Sequence, residues 1–299
     1  MNSAEALTPT LWSIGYILAG GGVLMLLLAR FDLRQIVDGE MGARYVGWLL
    51  LLPLYLTTVF VGGMVALLLL GICIGILVVE FARAARLTEG ERELLLQSGL
   101  LTLLTAKLWP AAYPLLPTVA LLLLTLWPIW TNDIAYLTER LWKLSWGYLY
   151  TIWALGHAVL LWALPMGQPL LVAILAGCGL ADVGAYSVGK AVGRHPIAPT
   201  ISPNKAWEGL IGNLLGAGLG IVLFRFLLLP FSFMQLAALV LTIGLGSAWG
   251  DLLSSLAKRS AARKDWGNLL PGHGGLLDRL NSLIVVLPTC YYLLRLWMG

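Results

Sequence analysis

Long apolar stretches separated by short polar segments run through the whole chain. Many of them approach the roughly 20 residues that a helix needs to cross the hydrocarbon core of a bilayer. Ten candidate spans can be drawn, at 11–29, 45–60, 61–79, 95–109, 111–130, 146–164, 168–189, 209–229, 234–256 and 280–298. The pattern therefore predicts an all-α, polytopic integral membrane bundle of about nine to ten transmembrane helices.

Two of the predicted boundaries divide apolar runs that are too long for one span. Residues 45–79 carry no charge, and as a single helix they would extend about 52 Å against roughly 30 Å of hydrocarbon. This run is expected to turn near Gly62 and Gly63. Pro110 divides the next Leu-rich run, because proline ends or kinks a helix.

The basic residues orient this bundle, because each cluster of them follows an odd-numbered span. Lys and Arg are enriched in cytoplasmic loops, so this side is predicted to be cytoplasmic and both termini to lie outside. The protein is expected to be a multi-pass integral protein of the inner or plasma membrane of the cell. Composition agrees, since 59% hydrophobic and 11% charged residues exclude a water-soluble globule. The net charge of +4 does not indicate a function, because an excess of Lys and Arg in cytoplasmic loops is enough to account for it.

The densest group of polar residues lies between positions 251 and 281. Asp251, Ser255 and Lys258 recur at i, i+4 and i+7, so they are expected to share one face of a helix. Carboxylates are hard oxygen ligands for Mg²⁺, and basic side chains neutralise phosphate oxygens. A basic cluster that only fixed topology would not need interleaved acids. This group therefore predicts a metal-bridged polyphosphate site at the membrane surface.

A second polar group precedes it. Asp182 and Asp251 are acids within apolar spans, where carboxylates are costly and usually mark a site. Tyr186 follows Asp182 by one turn and is placed to hydrogen-bond on the same face. The alternative for the residues that follow is purely structural: Ser202 and the next proline begin a helix, and Glu208 interacts with its dipole. The three cysteines lie in apolar runs without metal-ligand spacing, so neither a disulfide nor a zinc site is expected.

These residues together resemble the phosphatidate cytidylyltransferases, the CDP-diacylglycerol synthases. The C-terminal signature is carried by SLAKR (255–259), KD (264–265), PGHGG (271–275) and DR (278–279) in this order and spacing. The upstream part is carried by DVGAY (182–186) and SPNKAWEG (202–209). The resemblance extends over about 44–299. It divides the chain into an extra N-terminal transmembrane helix and loop (1–43), N-terminal and middle helices (44–165), and a C-terminal catalytic region (166–299).

The resemblance implies a reaction and a set of partners. The reaction is transfer of CMP from CTP to phosphatidic acid, which gives CDP-diacylglycerol and pyrophosphate in phospholipid synthesis. Mg²⁺ is the implied cofactor, with a second metal ion as an open alternative. The expected partners are CTP, phosphatidic acid or a related lipid phosphate, and membrane lipids, with no nucleic acid. A homodimer is left open, and the active site is expected on the cytoplasmic side.

The resemblance also implies roles for individual residues. The expected catalytic set is Lys205, Ser255, Lys258, Arg259, Lys264, Asp265, His273 and Arg279. The expected substrate-binding set is Asp182, Tyr186, Ser202, Glu208, Gly274 and Gly275. The expected metal ligands are Asp251, Asp278 and Asn281. No protein nucleophile is needed, because the lipid phosphate itself attacks CTP.

Two positions depart from the family pattern. Ser254 stands where the family usually has Glu, and Asn281 stands where it has Asp. Asn offers a neutral carbonyl oxygen, which attracts Mg²⁺ more weakly than a carboxylate does. Two alternatives follow from these departures. One is a related cytidylyltransferase that acts on another lipid phosphate, and the other is a non-catalytic or transporter-like paralogue.

Overall fold

The computed structural model describes residues 8–16, 19, 53, 55–132, 134, 137–269 and 274–298. Most of the predicted first span, the first part of the second, and the larger part of segment 1–43 lie outside these residues. His273 also lies outside them. In the described part, residues 8–16 and 55–61 are helical and precede the longer elements.

Nine α-helices follow from residue 63 onward in the part of the chain that is described. They are α1 (Gly63–Ala85), α2 (Glu89–Leu108), α3 (Leu116–Thr131), α4 (Leu137–Gly147), α5 (Ala154–Trp162), α6 (Gly167–Val192), α7 (Trp207–Leu223), α8 (Phe233–Ser260) and α9 (Leu277–Met298). Short 3₁₀ helices cover Pro110–Leu115 and Arg225–Leu227, and a π-helix at Tyr148–Trp153 joins α4 to α5. Strands β1 (Pro196–Ala198) and β2 (Ser202–Ala206) lie between α6 and α7.

The predicted helical membrane bundle is confirmed as a class. Helices α1, α6, α8 and α9 are each long and apolar enough to cross a bilayer, and Pro110–Leu126 and Trp207–Leu223 are shorter apolar helical segments. The all-α prediction is wrong in one place, because β1 and β2 form a small antiparallel hairpin. Ser202 therefore begins a strand, and the helix begins only at Trp207. The proline at position 203 favours this, since the residue before a proline prefers extended backbone.

The two predicted chain breaks are confirmed. Gly62 and Gly63 have φ angles of 62° and 56°, a region that residues with a Cβ rarely adopt, and α1 starts there. Helix α2 ends at Leu108, and Pro110 begins a 3₁₀ helix. The boundary predicted at 146 is late, because helical structure already starts at Leu137 and continues through the π-helix.

Helices α6 and α7 pack with their backbones almost in contact. A Cβ added to Gly184 of α6 would collide with the carbonyl oxygen of Gly212 in α7, and one added to Gly216 would collide with that of Leu180. Small residues permit such a close approach between helices in a membrane. On the other side of α7, Asn213 Nδ2 donates to the carbonyl oxygen of Gly244 in α8, over 3.3 Å. This packing brings the polar residues of α6, β2 and α8 to one place.

Candidate active site

A cavity of about 510 Å³ lies where α1, α6, α8 and α9 meet beside β2. Nine of the predicted site residues line it together: Asp182, Lys205, Asp251, Ser255, Lys258, Asp265, Asp278, Arg279 and Asn281. The lining that α1 contributes is apolar and includes Leu69, Leu70, Ile72 and Ile76, and α6 adds Leu175. One space is therefore lined by charged residues and by apolar residues.

Asp251 of α8 accepts from two charged or polar side chains of the lining. Lys205 from β2 donates to its Oδ2 in an ion pair, and Asn281 Nδ2 from α9 donates to its Oδ1 over 2.6 Å. The backbone N–H of Ser282 donates to Asn281 Oδ1 over 2.8 Å, which fixes the orientation of the amide. Side chains from two elements, β2 and α9, thus converge on this carboxylate of α8. The prediction that Asp251, Ser255 and Lys258 share one helix face is confirmed, since all three line the cavity from α8.

Asp182 provides a second carboxylate beside Asp251. Ser282 Oγ donates to Asp182 Oδ1 over 3.4 Å, which connects α6 to α9. Among the described residues, no group of three or more His, Cys, Asp or Glu side chains is arranged to hold a metal ion. Mg²⁺ is, however, commonly bound by one or two carboxylates together with substrate phosphates. Asp251 and Asp182 alone therefore fit a Mg²⁺ ion only if further oxygen ligands come from a bound phosphate.

Asp278 makes a different set of contacts from Asn281. Lys258 Nζ donates to Asp278 Oδ1 over 2.7 Å, and the backbone N–H groups of Trp266 and Gly275 donate to Oδ2 over 2.9 and 3.0 Å. Gly274 adopts a φ of 78° in this loop. Asp278 and Asn281 were both expected as metal ligands, but in the structure Asp278 contacts Lys258 and two backbone N–H groups, and Asn281 contacts Asp251. Asp278 as a metal ligand remains a prediction.

Glu80 of α1 is a buried acid that the sequence analysis did not single out. Its Oε1 and Oε2 accept hydrogen bonds from the backbone N–H groups of Leu276 and Leu277, over 2.9 and 2.8 Å. These residues are at the start of α9, almost 200 positions away in the chain. One signal was available, since Glu80 is the first charge after the uncharged run 45–79. The spacing of residues near Glu80 in the sequence does not indicate that Leu276 and Leu277 are its hydrogen-bond partners.

Several predicted site residues lie outside the lining of this cavity. Tyr186 is 52% exposed, and its hydroxyl accepts from Lys190 Nζ over 3.4 Å. Among the described side chains, the predicted hydrogen bond from Tyr186 to Asp182 is not found. Arg259 Nε donates to the carbonyl oxygen of Ile201 over 3.4 Å, which connects α8 to the turn of the hairpin. The remaining residues outside the lining are Ser202, Lys264, Glu208, Gly274 and Gly275.

Glu208 closes the hairpin at the first turn of α7. Its Oε1 accepts from His195 Nδ1 over 2.6 Å, and its Oε2 accepts from the backbone N–H groups of Arg194 and His195 over 3.2 and 3.3 Å. The hydrogen bond from the His195 side chain, followed by those from backbone N–H groups, lowers the pKa of Glu208 to about 2. This position agrees with the structural alternative that the sequence left open for Glu208.

We expect Glu208→Gln to loosen this hairpin at neutral pH, with faster amide hydrogen exchange at Arg194 and His195. The folded pKa is depressed, so the stabilisation from the carboxylate is fully present above the unfolded pKa of about 4.3 and is lost as pH falls toward 2. The exchange rates of the variant and the parent should therefore converge at acid pH. Equal exchange rates at pH 7 would contradict this account of the hairpin.

A sequence model of the cytidylyltransferase family matches residues 42–297. The chain belongs to this family. The family resemblance predicted from the motifs is thereby confirmed. The match encompasses every residue that lines the cavity of this cytidylyltransferase-family protein.

Individual relatives match part of the chain. Over 185 residues this family member is 35% identical to the uncharacterized protein YnbB of Escherichia coli K12, covering 60% of this chain and 62% of the relative. It is 42% identical over 117 residues to a phosphatidate cytidylyltransferase of Bacillus subtilis, covering 39% and 44%. It is 35% identical over 174 residues to a phosphatidate cytidylyltransferase of Pseudomonas aeruginosa, covering 58% and 63%. The matched part is thus less than two thirds of the length of each of these relatives.

Proposed function

We propose that the protein transfers a cytidylyl group from CTP to a membrane lipid phosphate, with phosphatidic acid as the substrate and CDP-diacylglycerol and pyrophosphate as the products. The observation that carries this proposal is one cavity that is lined by charged residues of β2, α6, α8 and α9 and by apolar residues of α1. A lipid phosphate needs both environments, because its headgroup is anionic and its chains are apolar. The names of the Bacillus subtilis and Pseudomonas aeruginosa relatives support the same activity.

The chemistry needs positioning and charge neutralisation more than a reactive side chain. An oxygen of the lipid phosphate attacks the α-phosphorus of CTP, the bond from that phosphorus to the bridging oxygen breaks, and pyrophosphate leaves. We propose that Lys205, Lys258 and Arg279 neutralise the phosphate oxygens, since all three line the cavity. Holding both phosphates in line removes much of the entropic part of the barrier.

We propose that Mg²⁺ is held at Asp251, with Asp182 beside it and oxygens of the CTP phosphates completing its ligands. When bound, the ion supplies charge neutralisation and orientation of the phosphates. Asp278 and Asn281 are proposed as further ligands, with a second metal ion as an alternative. In this structure Asp278 accepts from Lys258 and two backbone N–H groups, and Asp251 accepts from Lys205 and Asn281, so Mg²⁺ would replace hydrogen bonds at either carboxylate.

A direct test uses the full-length protein in lipid vesicles with CTP and Mg²⁺. Three acceptors are compared at equal concentration: phosphatidic acid, an isoprenoid ether phosphate and soluble glycerol 3-phosphate. Pyrophosphate release is expected with phosphatidic acid and not with glycerol 3-phosphate, which lacks the apolar chains. Faster release with the isoprenoid lipid would favour the related cytidylyltransferase. No release with either lipid, despite binding of CTP, would favour the non-catalytic paralogue.

The site also predicts the effect of Asn281→Asp. In the present structure the amide of Asn281 lies 2.6 Å from Asp251 Oδ1, so a carboxylate there would repel Asp251 unless a cation lies between them. We expect a lower melting temperature in EDTA that Mg²⁺ restores, and Mg²⁺ affinity that is higher by about tenfold, or about 1.4 kcal/mol. Thermal denaturation with and without Mg²⁺ measures both effects.

The matched control for this change is Asn213→Asp. Asn213 is also buried and donates through its amide, but its acceptor is the carbonyl oxygen of Gly244, away from the cavity lining. This variant should lose stability without any restoration by Mg²⁺. Equal responses of the two variants to Mg²⁺ would contradict a metal site at Asp251.

We further propose the finer topology that the sequence predicts. The protein would cross the membrane nine to ten times, with the cavity opening on the cytoplasmic side, where the basic loop after α8 lies. The proposed division is 1–43, 44–165 and 166–299, with the catalytic residues in the last segment. A homodimer stays an alternative to a monomer. The positive charges on one side of the predicted bundle support the orientation.

A further inference from the structure

A buried carboxylate from α1 holds the start of α9. Glu80 is 6% exposed, and its two oxygens accept from the backbone N–H groups of Leu276 and Leu277. The first N–H groups of a helix have no partner within the helix itself. A carboxylate at this position satisfies them and also interacts favourably with the positive end of the helix dipole. The contact therefore fixes where α9 begins relative to α1.

The loop backbone is shaped to admit this carboxylate. A Cβ on Gly275 would lie 2.5 Å from Glu80 Oε2, and one on Gly267 would lie 2.7 Å from Glu80 Oε1. Both distances are much shorter than a carbon–oxygen contact allows, so glycine at these two positions leaves room for the Glu80 carboxylate. Two described positions of the segment between α8 and α9 thus approach Glu80 closely.

Two carboxylates accept hydrogen bonds from the backbone of this loop and of the start of α9. Glu80 accepts from Leu276 and Leu277, and Asp278 accepts from Trp266 and Gly275. All four donors are backbone N–H groups. Trp266 and the residues that lead into α9 are therefore held by two carboxylates, one of which belongs to α1.

This contact connects the two walls of the cavity. Helix α1 supplies the apolar wall through residues such as Ile72 and Ile76, and Ile76 precedes Glu80 by one helical turn. Helix α9 supplies Arg279 and Asn281 to the charged wall within its first five residues. We infer that Glu80 is a positioning residue that sets the charged wall of the cavity relative to its apolar wall, an inference that rests on the proposed lipid cytidylyltransferase function. A displacement of about 1 Å between reacting groups costs on the order of 100-fold in rate.

The test compares Glu80→Gln with Glu91→Gln. Glu91 is the control, because it is also buried and accepts from a backbone N–H, that of Thr88, over 2.8 Å. Its partners Thr88 and Arg140 lie outside the lining of the cavity, whereas Glu80 contacts Leu276, which lines it. In Glu80→Gln the amide group would face one of the two N–H donors, so one contact is lost. We expect kcat with CTP and phosphatidic acid to fall about 10- to 100-fold, while the KM for CTP changes less than about twofold.

A change in kcat without a change in KM distinguishes a role of Glu80 in positioning from a role in the overall stability of the protein. A purely structural role would lower the melting temperature and the amount of active protein without changing kcat per folded molecule. The inference is overturned if Glu80→Gln and Glu91→Gln show the same kcat per folded molecule. If Glu80→Gln does not fold, Glu80→Asp is used in its place. Asp keeps the negative charge and both carboxylate oxygens, but its side chain is shorter by one methylene group. Its kcat is expected to be lower than that of Glu91→Gln, and an equal kcat overturns the inference.

Failure of the proposed function is distinguishable from failure of this inference. If the parent protein turns over no lipid phosphate, the proposed function is wrong. The role of Glu80 is then judged by amide hydrogen exchange at Leu276 and Leu277 and along the first turns of α9. Exchange there should be about tenfold faster in Glu80→Gln than in Glu91→Gln, consistent with loss of about 1.4 kcal/mol of local stability. Equal exchange in the two variants overturns the inference.

Discussion

Asp251→Asn is expected to lower kcat for cytidylyl transfer by about 10³-fold, or about 4 kcal/mol in activation free energy. Asp251 of α8 accepts from Lys205 and from Asn281, so side chains from β2 and α9 converge on it. The change removes the charge that balances Lys205 and the oxygen proposed to hold Mg²⁺. Steady-state pyrophosphate release in vesicles measures the effect.

The control for this prediction is Glu139→Gln on α4. Glu139 forms an exposed ion pair with Lys143 over 2.7 Å and lies outside the lining of the cavity. Exposed pairs of this kind contribute little, so activity should stay within about twofold of the parent. If Asp251→Asn kept more than a tenth of the parent activity, the central role given to Asp251 would be wrong.

Asp278→Asn is expected to lower the free energy of unfolding by about 3 kcal/mol and to reduce turnover strongly. The Asp278 side chain is 4% exposed, and it balances Lys258, which is 16% exposed. Losing one partner of such a pair leaves the other charge buried and uncompensated. The amide of Asn would also face an N–H donor of the α8–α9 loop. Chemical denaturation and turnover are measured on the same preparation.

A double variant separates the two effects of Asp278. In Asp278→Asn combined with Lys258→Met the uncompensated ammonium is removed, so part of the stability should return. Turnover should stay low, because the proposed phosphate contact from Lys258 is also absent. Full stability in Asp278→Asn alone would contradict the account of the ion pair. Full recovery of turnover in the double variant would contradict the role proposed for Lys258.

The long helices could be predicted, because the length of each apolar stretch in the sequence indicates almost directly where a membrane-spanning helix lies. Helices α6, α8 and α9 coincide with predicted spans to within four residues at each end, and α1 continues six residues beyond its predicted end at 79. The breaks at Gly62 and Pro110 follow from backbone chemistry. The hairpin of β1 and β2 was not predicted. Its strands are only three and five residues long, and its closure depends on Glu208 reaching back to His195. Such short strands carry no hydrophobic periodicity.

The candidate site could be predicted where its residues lie on one helix. The spacing of Asp251, Ser255 and Lys258 placed them on one face of α8, and all three line the cavity. The same argument did not extend to Asp278 and Asn281, because the partners of these side chains come from other elements. Glu80 shows the limit most clearly, since its two hydrogen bonds join residues about 196 positions apart. Contacts of that separation follow from packing and not from spacing.

Cytidylyl transfer to a lipid can be followed with labelled CTP. The full-length protein in vesicles of phosphatidic acid is given Mg²⁺ and CTP that carries ³²P at either the α or the γ position. We expect α-label to enter the organic phase as a lipid that contains cytidine, and γ-label to appear only in pyrophosphate. Retention of all α-label in the aqueous phase, or entry of γ-label into lipid, would contradict cytidylyl transfer as the function of this cavity.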